Sequence, residues 1–126
     1  MKNLGLMCGK GEGVILDYAE AVKWYRKAAE QGNYLAQGNL GYLYDFGKGV
    51  TEDDKEAAKW YRKAAEQGSF FAQTSLGVLY ENGTGVPEDD KEAVKWFRMA
   101  AEQGSSFGQG RLAKKYEYGE GTPKNL

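Results

Sequence analysis

The stretch that decides the fold is DDKEAAKWYRKAAEQG at residues 53–68. It returns as DDKEAVKWFRMAAEQG at 89–104, and a related version, DYAEAVKWYRKAAEQG, occupies 17–32. The tryptophan and the final glycine of the stretch therefore recur every 36 residues. A fixed period of this length is typical of a solenoid, in which each repeat buries its apolar face against its neighbours. Trp60 and Trp96 are accordingly expected to be buried between neighbouring units.

Each of these stretches carries the signals of one amphipathic helix. Asp17 and Glu20 form a pair that resembles a capping box, in which side chains accept hydrogen bonds from the unpaired N–H groups at the helix start. Apolar residues then recur every three or four positions, with Trp24 among them, and Gly32 follows as a helix-ending glycine. The pattern predicts helices near 17–31, 53–67 and 89–103.

A second type of helix lies between these stretches. Residues 36–46 and 72–82 place alanine, leucine and tyrosine on one face, and Gly41 and Gly77 lie in the middle of these segments. A mid-helix glycine costs roughly 1 kcal/mol against alanine, so we expect each glycine to let a neighbouring helix approach closely. With a partial helix at the start and a last helix near 105–118, the sequence predicts roughly seven helices in antiparallel pairs.

The combined pattern A-x-x-x-L-G-x-x-Y-x-x-G-x-G-V-x-x-D-x-x-x-A-x-x-W-[YF]-x-x-A-A-E-Q-G resembles the Sel1-like repeat, a relative of the tetratricopeptide repeat. The resemblance covers the whole chain and implies an all-α, right-handed solenoid of antiparallel helix pairs with a 36-residue repeat. Members of this family serve as adaptors and scaffolds for protein complexes, which implies a binding protein and not an enzyme. As a single domain over 1–126, the chain divides into a partial unit at 1–32, full units at 33–68 and 69–104, and a half unit at 105–126.

The resemblance also implies which residues face a partner. In this family the first helix of each pair lines the concave groove, and alignment with the tetratricopeptide pattern assigns the groove-facing positions. These positions differ between the copies, as a surface for a non-repetitive partner requires, while the packing positions repeat. They are Leu35, Gly38, Tyr42, Asp45 and Phe46 in the first full unit, Phe71, Thr74, Val78, Glu81 and Asn82 in the second, and Phe107, Gly110, Lys114, Glu117 and Tyr118 in the last half unit.

This mixture of aromatic and acidic side chains suits an amphipathic or basic peptide from a protein partner. The aromatic and aliphatic side chains would anchor the peptide, and the three carboxylates would fix its register. An alternative interpretation is that Leu35, Phe71 and Phe107 only pack against the preceding unit.

Two alternative functions follow from the same resemblance. Some bacterial members act as immunity or inhibitor partners of a toxin or enzyme, and some cysteine-rich secreted relatives have been tied to binding or hydrolysis of β-lactams. The β-lactamase-like alternative is disfavoured, because those relatives have a cysteine pair in each unit and this chain has only Cys8. RNA recognition by one base per repeat is disfavoured by the balanced charge.

The composition excludes several other classes. A net charge of −1 and a pI near 5.6 give no basic surface for nucleic acid, and no apolar run is long enough to predict insertion into a membrane. Histidine is absent, which removes the commonest general base and metal ligand, so no catalytic residue, metal or cofactor is predicted. Without a signal-peptide pattern or a cysteine pair, a cytoplasmic location is favoured.

Three further expectations concern the chain away from the groove. A basic stripe on the second helices is expected to be solvated and to pair with glutamates one turn later, as Arg62 with Glu66. Lys115, which stands where the two full copies have Leu43 and Leu79, is expected to face water as part of a polar terminal cap. The N-terminal end is expected to be less protected and to support self-association. Its apolar residues are Leu4, Leu6 and Met7.

Overall fold

The computed structural model describes residues 17–119, and this part of the chain consists of six α-helices of 13 residues each. No β-strand occurs among these residues. The partial helix predicted at the N-terminal end, Cys8 and the apolar residues expected to support self-association lie outside the described residues. The helices are α1 at Tyr18–Glu30, α2 at Tyr34–Phe46, α3 at Asp54–Glu66, α4 at Phe70–Asn82, α5 at Asp90–Glu102 and α6 at Ser106–Tyr118.

The six helices form two layers of an all-α repeat solenoid, which confirms the predicted fold class. Each helix packs chiefly against its neighbours in the chain. Within the layer of α2, α4 and α6, which we call the A layer, the Phe71 ring lies against Gly38, and Arg111 donates to Glu81. Within the layer of α1, α3 and α5, which we call the B layer, an arginine of α3 lies 5.9 Å from the centroid of the Trp96 ring.

Aspartates cap the B-layer helices, but the predicted capping box is only half formed. The Asp53 Oδ1 atom accepts from the N–H groups of Lys55 and Glu56 at 3.1 and 3.2 Å. The Asp53 N–H group donates to the carbonyl of Tyr44 at 3.0 Å, so it does not need the glutamate. The Glu56 carboxylate accepts instead from the indole N–H of Trp60 at 3.2 Å. The acidic pair therefore caps the helix and also orients its tryptophan.

Glycines in the middle of the A-layer helices admit aromatic rings from the B layer. A Cβ atom on Gly41 would lie 2.8 Å from the Tyr61 ring, and one on Gly77 would lie 2.7 Å from the Phe97 ring. Both rings are fully buried. The expectation that each mid-helix glycine allows a close helix approach is confirmed, and we call these two contacts the glycine notches.

The tryptophans of the two full units belong to the core. Trp60 is 5% exposed and Trp96 is 3% exposed, which confirms that both are buried. Trp60 belongs to a cluster with Val22 of α1 and Leu40 of α2, so it joins one unit to the preceding one. Trp24 is more exposed, although its indole N–H group makes the same bond to a glutamate one turn earlier.

The predicted pairing of Arg62 with Glu66 is wrong. Arg62 donates from Nη2 to the hydroxyl of Tyr80, and its guanidinium lies 5.6 Å from the centroid of that ring. A tyrosine beside a half-buried guanidinium offers both an acceptor oxygen and a π face, which outweigh an exposed carboxylate. The lysines of the stripe are solvated as expected, and those that form an ion pair do so with a glutamate one turn earlier, as Lys59 does with Glu56 at 3.4 Å.

Buried glutamines bond successive helices together. Gln73 donates from Nε2 to the carbonyl of Ala65 at 3.1 Å, and its Oε1 atom accepts from Nε2 of Gln103 at 2.9 Å. Gln37 makes the equivalent bonds one repeat earlier, to Ala29 and from Gln67. Each glutamine satisfies a carbonyl at the end of one B-layer helix and is itself satisfied by the next, so its burial leaves no amide group unpaired.

Lys115 is 3% exposed, so the expectation that it faces water is wrong. Its Nζ atom lies 3.0 Å from Glu81 Oε2 and 3.0 Å from Asp90 Oδ1, and Arg111 also donates to Glu81. Burial alone would lower the pKa of Lys115, but hydrogen bonds to Glu81 and Asp90 outweigh it, and the pKa is raised. The lysine keeps its charge because the carboxylates on α4 and α5 enclose it. We call these four side chains the ion cluster.

We expect Gly41→Ala to lower the free energy of unfolding by about 1–3 kcal/mol through overpacking. Alanine is the better helix former by about 1 kcal/mol, but its methyl group would overlap the Tyr61 ring. Gly38→Ala in the same helix is the matched control, because its Cβ would meet Phe71 at an ordinary 3.5 Å. Urea unfolding of both variants measures the difference. A larger loss of stability in Gly38→Ala than in Gly41→Ala would contradict the role of the notch.

Lys115→Ala should lower the free energy of unfolding by roughly 3 kcal/mol, the lower end for a broken buried pair, because Glu81 keeps its arginine partner and Asp90 is partly exposed. Lys115→Leu restores the residue type of Leu43 and Leu79 and should recover only the packing part of that loss, because the two carboxylates still lack the ammonium. Urea unfolding at neutral pH compares the two variants. Equal losses would show that apolar packing cannot replace the ammonium at this position.

Candidate protein-binding surface

The A layer exposes large apolar side chains on α2. Leu35 is 63% exposed and Phe46 is 58% exposed, with Tyr42 between them on the same face. The rings of Tyr42 and Phe46 contact each other, with centroids 4.8 Å apart. The core positions of this helix are filled separately, because Leu40 and Leu43 are buried. The result is an apolar ridge along α2 that is open to solvent.

Phe71 and Phe107, the next two aromatics of the predicted groove, both pack and remain exposed. The Phe71 ring meets Tyr61 edge-on with centroids 6.0 Å apart, and Phe107 meets Phe97 in the same way at 6.4 Å. About half of each phenylalanine side chain is still open to solvent. Both phenylalanines therefore pack against the preceding unit with one part of the side chain and leave the other part accessible to a partner. Leu35, at the equivalent position of α2, is the most exposed of the three.

The positions equivalent to the Tyr42–Phe46 pair differ along the A layer. On α4 they hold Val78, which is half-buried, and Asn82, which is exposed. On α6 they hold two exposed residues, Lys114 and Tyr118. The surface therefore changes from aromatic at α2, through small and polar at α4, to cationic and aromatic at α6.

The three carboxylates predicted to set register have different surroundings. Asp45 is half-buried, and its Oδ2 atom accepts from the Tyr61 hydroxyl at 3.1 Å. Glu81 belongs to the ion cluster, where Arg111 and Lys115 neutralise it. Glu117 is exposed. Only Asp45 and Glu117 therefore offer an uncompensated charge at this surface.

Two of the predicted groove positions are buried. The Thr74 hydroxyl donates to the carbonyl of Phe71 at 2.9 Å, and Gly38 lies beneath the same phenylalanine. Neither residue offers surface to a partner. Sequence reasoning also missed two exposed aromatics, Tyr34 and Phe70, which open α2 and α4. The sequence did contain a signal for them. The equivalent position of α6 holds serine, so this position differs between the copies as the predicted groove positions do.

Within residues 17–119, no group of three or more cysteine, aspartate or glutamate side chains is placed to hold a metal ion. None of the six described helices is long and apolar enough to cross a membrane. The A-layer ridge thus stands out among the described residues as the feature whose exposure the fold does not explain.

The profile of the Sel1 repeat family matches four consecutive segments, at residues 1–33, 35–69, 71–105 and 106–126. The chain belongs to the Sel1 repeat family. Sel1 repeat proteins generally act as scaffolds for protein–protein interactions, and the Sel1-repeat fold is generally non-catalytic. The comparison with curated proteins returns no match.

Solved structures of bacterial Sel1 repeat proteins resemble this chain closely. The protein c5321, a protective antigen present in uropathogenic Escherichia coli strains, has a TM-score of 0.89 and 47% identity over 97% of this chain and 26% of its own length. A Sel1 repeat protein from Oxalobacter formigenes has a TM-score of 0.86 and 42% identity over 96% of this chain and 50% of its own. Cysteine rich protein B of Helicobacter pylori has a TM-score of 0.69 and 33% identity over 72% and 68%. The chain therefore corresponds to only part of the first two proteins.

Asp45→Asn is expected to stabilise the chain at neutral pH. Burial raises the pKa of Asp45 above its ordinary 3.8, the bond from Tyr61 lowers it, and repulsion from Asp54 and Glu52 raises it further, with a net increase. Because the folded pKa is the higher one, this group favours folding below pH 3.8, and that contribution is lost as the pH rises through the folded value.

Asparagine keeps an oxygen for the Tyr61 hydroxyl but carries no charge. The melting temperature of Asp45→Asn should therefore exceed that of the unmodified chain at neutral pH, and the difference should vanish near about pH 3. Glu117→Gln, at an exposed carboxylate, is the matched control and should change little at either pH. A lower melting temperature for Asp45→Asn at neutral pH would contradict the assignment.

Proposed function

We propose that this Sel1-repeat chain is a non-catalytic scaffold that binds a protein partner on the exposed face of its A layer. The observation that carries the proposal is the pair Tyr42 and Phe46, two exposed rings in contact at helical spacing. Their exposure is not required by the core, because other residues of α2 fill it. Exposed aromatic side chains grouped on one rigid helix are typical anchors of protein interfaces.

The shape and chemistry of α2 favour a protein over a small molecule as the ligand. Leu35, Tyr42 and Phe46 recur at intervals of seven and four residues, so they form a ridge about three turns long. Such a ridge fits the apolar face of a helix or of an extended segment. Phe71 extends the apolar surface onto α4, since its ring lies against α2 and remains half exposed.

The outer surface of the B layer is less suited to selective binding. Lysine and glutamate pair with each other there at equivalent positions of α1, α3 and α5, with N–O distances of 3.9, 3.4 and 3.7 Å. These pairs neutralise their own charges, and they repeat from unit to unit. A surface that repeats gives a partner little by which to recognise one register.

The test begins with a partner captured from a lysate of the source organism, purified and measured against variants of the chain. Tyr42→Ala combined with Phe46→Ala should weaken binding at least about 30-fold, the loss expected for a hot spot of about 2 kcal/mol. Lys59→Ala combined with Lys63→Ala is the matched control, because it removes two B-layer side chains at the same spacing. That control should bind as the unmodified chain does.

Circular dichroism and melting temperature should be unchanged in the aromatic double variant, since both side chains are exposed. Unchanged affinity in this variant, together with loss of binding in the lysine variant, would move the binding site to the B layer. Loss of binding in both variants without loss of fold would mean that the A-layer face alone does not hold the partner.

A further inference from the structure

The α2 end of the A-layer surface carries negative charge that the fold leaves uncompensated. Asp45 lies beside the Tyr42–Phe46 pair in sequence, and Asp54 and Glu52 act on it electrostatically. None of these three carboxylates forms an ion pair with another residue of the described range 17–119. Burial and this repulsion raise the pKa of Asp45, so keeping this carboxyl group charged lowers the stability of the fold.

The corresponding carboxylate on α4 is compensated within the fold. Glu81 is equivalent to Asp45 in the repeat, but it is bound by Arg111 and Lys115. Asp90, equivalent to Asp54, is bound by Lys115 as well. Glu81 and Asp90 are therefore neutralised within the fold. Of the three carboxylates equivalent to those at the α2 end, only Glu88, the equivalent of Glu52, is left exposed without an ion pair to the residues between 17 and 119.

The α6 end presents one exposed cation, Lys114, and one exposed anion, Glu117, so it lacks the net negative charge of the α2 end. Lys114 is exposed and occupies the position that Tyr42 holds on α2 and Val78 holds on α4. It forms no ion pair with any residue between 17 and 119, although Glu117 lies one turn later. Equivalent repeat positions lie on the same face of each A-layer helix, so Lys114 faces the same partner surface as the Tyr42–Phe46 pair.

We propose that the A-layer surface binds a dipolar segment of a protein partner with its basic end at α2 and its acidic end at α6. An apolar residue of the segment packs on Tyr42 and Phe46, a basic residue beside it meets Asp45, and an acidic residue further along meets Lys114. This inference rests on the proposed function and adds to it the charge pattern and the direction of the bound segment.

The spacing of the helices sets the spacing within the segment. Packed helices lie about 8–10 Å apart, so α2 and α6, separated by α4, are at least about 16–20 Å apart. An extended chain advances at most about 3.3–3.6 Å per residue. The acidic residue should therefore follow or precede the apolar residue by at least about five or six positions, with uncharged residues between them over α4.

The experiment uses a displayed library of random 12-residue peptides, selected on the immobilised chain, with affinities then measured for synthetic copies. Selected peptides should carry an apolar residue next to a basic one, with an acidic residue at least about five or six positions away. Lys114→Glu should weaken the binding of such a peptide by about fivefold, the scale of an exposed ion pair. Changing the acidic residue of the peptide to lysine should restore affinity for the variant.

Lys63→Glu makes the same charge change on the B layer and should leave the affinity unchanged. Peptides that lose affinity for the Tyr42→Ala, Phe46→Ala variant but bind Lys114→Glu normally would overturn the dipolar arrangement and leave the scaffold proposal standing. Selection of no peptide that depends on the aromatic pair would also overturn the inference, whereas the scaffold proposal is judged separately with the captured protein partner.

Discussion

The packing of an aromatic ring against a glycine is the contact on which the helix pair of each full unit depends. Tyr61 fills the notch at Gly41, and Phe97 fills the notch at Gly77. Placing glycine inside a helix costs about 1 kcal/mol against alanine, whereas burying a large apolar side chain contributes roughly 1.5–3 kcal/mol. Burial therefore outweighs the loss of helix propensity, provided that no Cβ atom keeps the ring away. The notch requires the ring to approach the helix backbone closely, and any residue with a Cβ atom at these positions would hold the ring away.

The notch also fixes which side of an A-layer helix is left for binding. Because Gly41 must face the Tyr61 ring, the next residue, Tyr42, is turned by about 100° around the helix and reaches solvent. Phe46 follows one turn later on the same side, so the two rings meet. Packing positions repeat in the two full units because both form the same notch, whereas α6 holds Ala113 at the equivalent position. Positions on the open side are released from that requirement, and they are the ones that differ between α2, α4 and α6.

The repeat period was enough to predict the helices, their approximate ends, the buried tryptophans and the reason for the mid-helix glycines. It could not predict contacts for which several partners compete at similar sequence distances. Arg62 had a glutamate one turn away, but Tyr80, which the fold brings beside it, offered a better site. Lys115 appeared to be a surface residue because lysine usually is, and its burial depends on Glu81 and Asp90 arriving from two other helices. The groove prediction likewise included Gly38, since helix periodicity does not show that the Phe71 ring of the next unit covers this position.

The ion cluster and the bond between Tyr61 and Asp45 are two solutions to one problem of burial. A carboxylate at the end of an A-layer helix is partly removed from water, and it needs a donor from a neighbouring helix. In the first full unit the Tyr61 hydroxyl supplies that donor to Asp45. In the second unit Phe97 has no hydroxyl, and Arg111 with the buried lysine one turn later supplies charged donors to Glu81 instead. The change from Tyr61 to Phe97 is thus matched by a change on α6. There Arg111 and Lys115 bind the carboxylate that has no phenol as donor. The same difference leaves Asp45 with a neutral partner and a net negative charge, so the exposed surface acquires its asymmetry from the way in which its core contacts are satisfied.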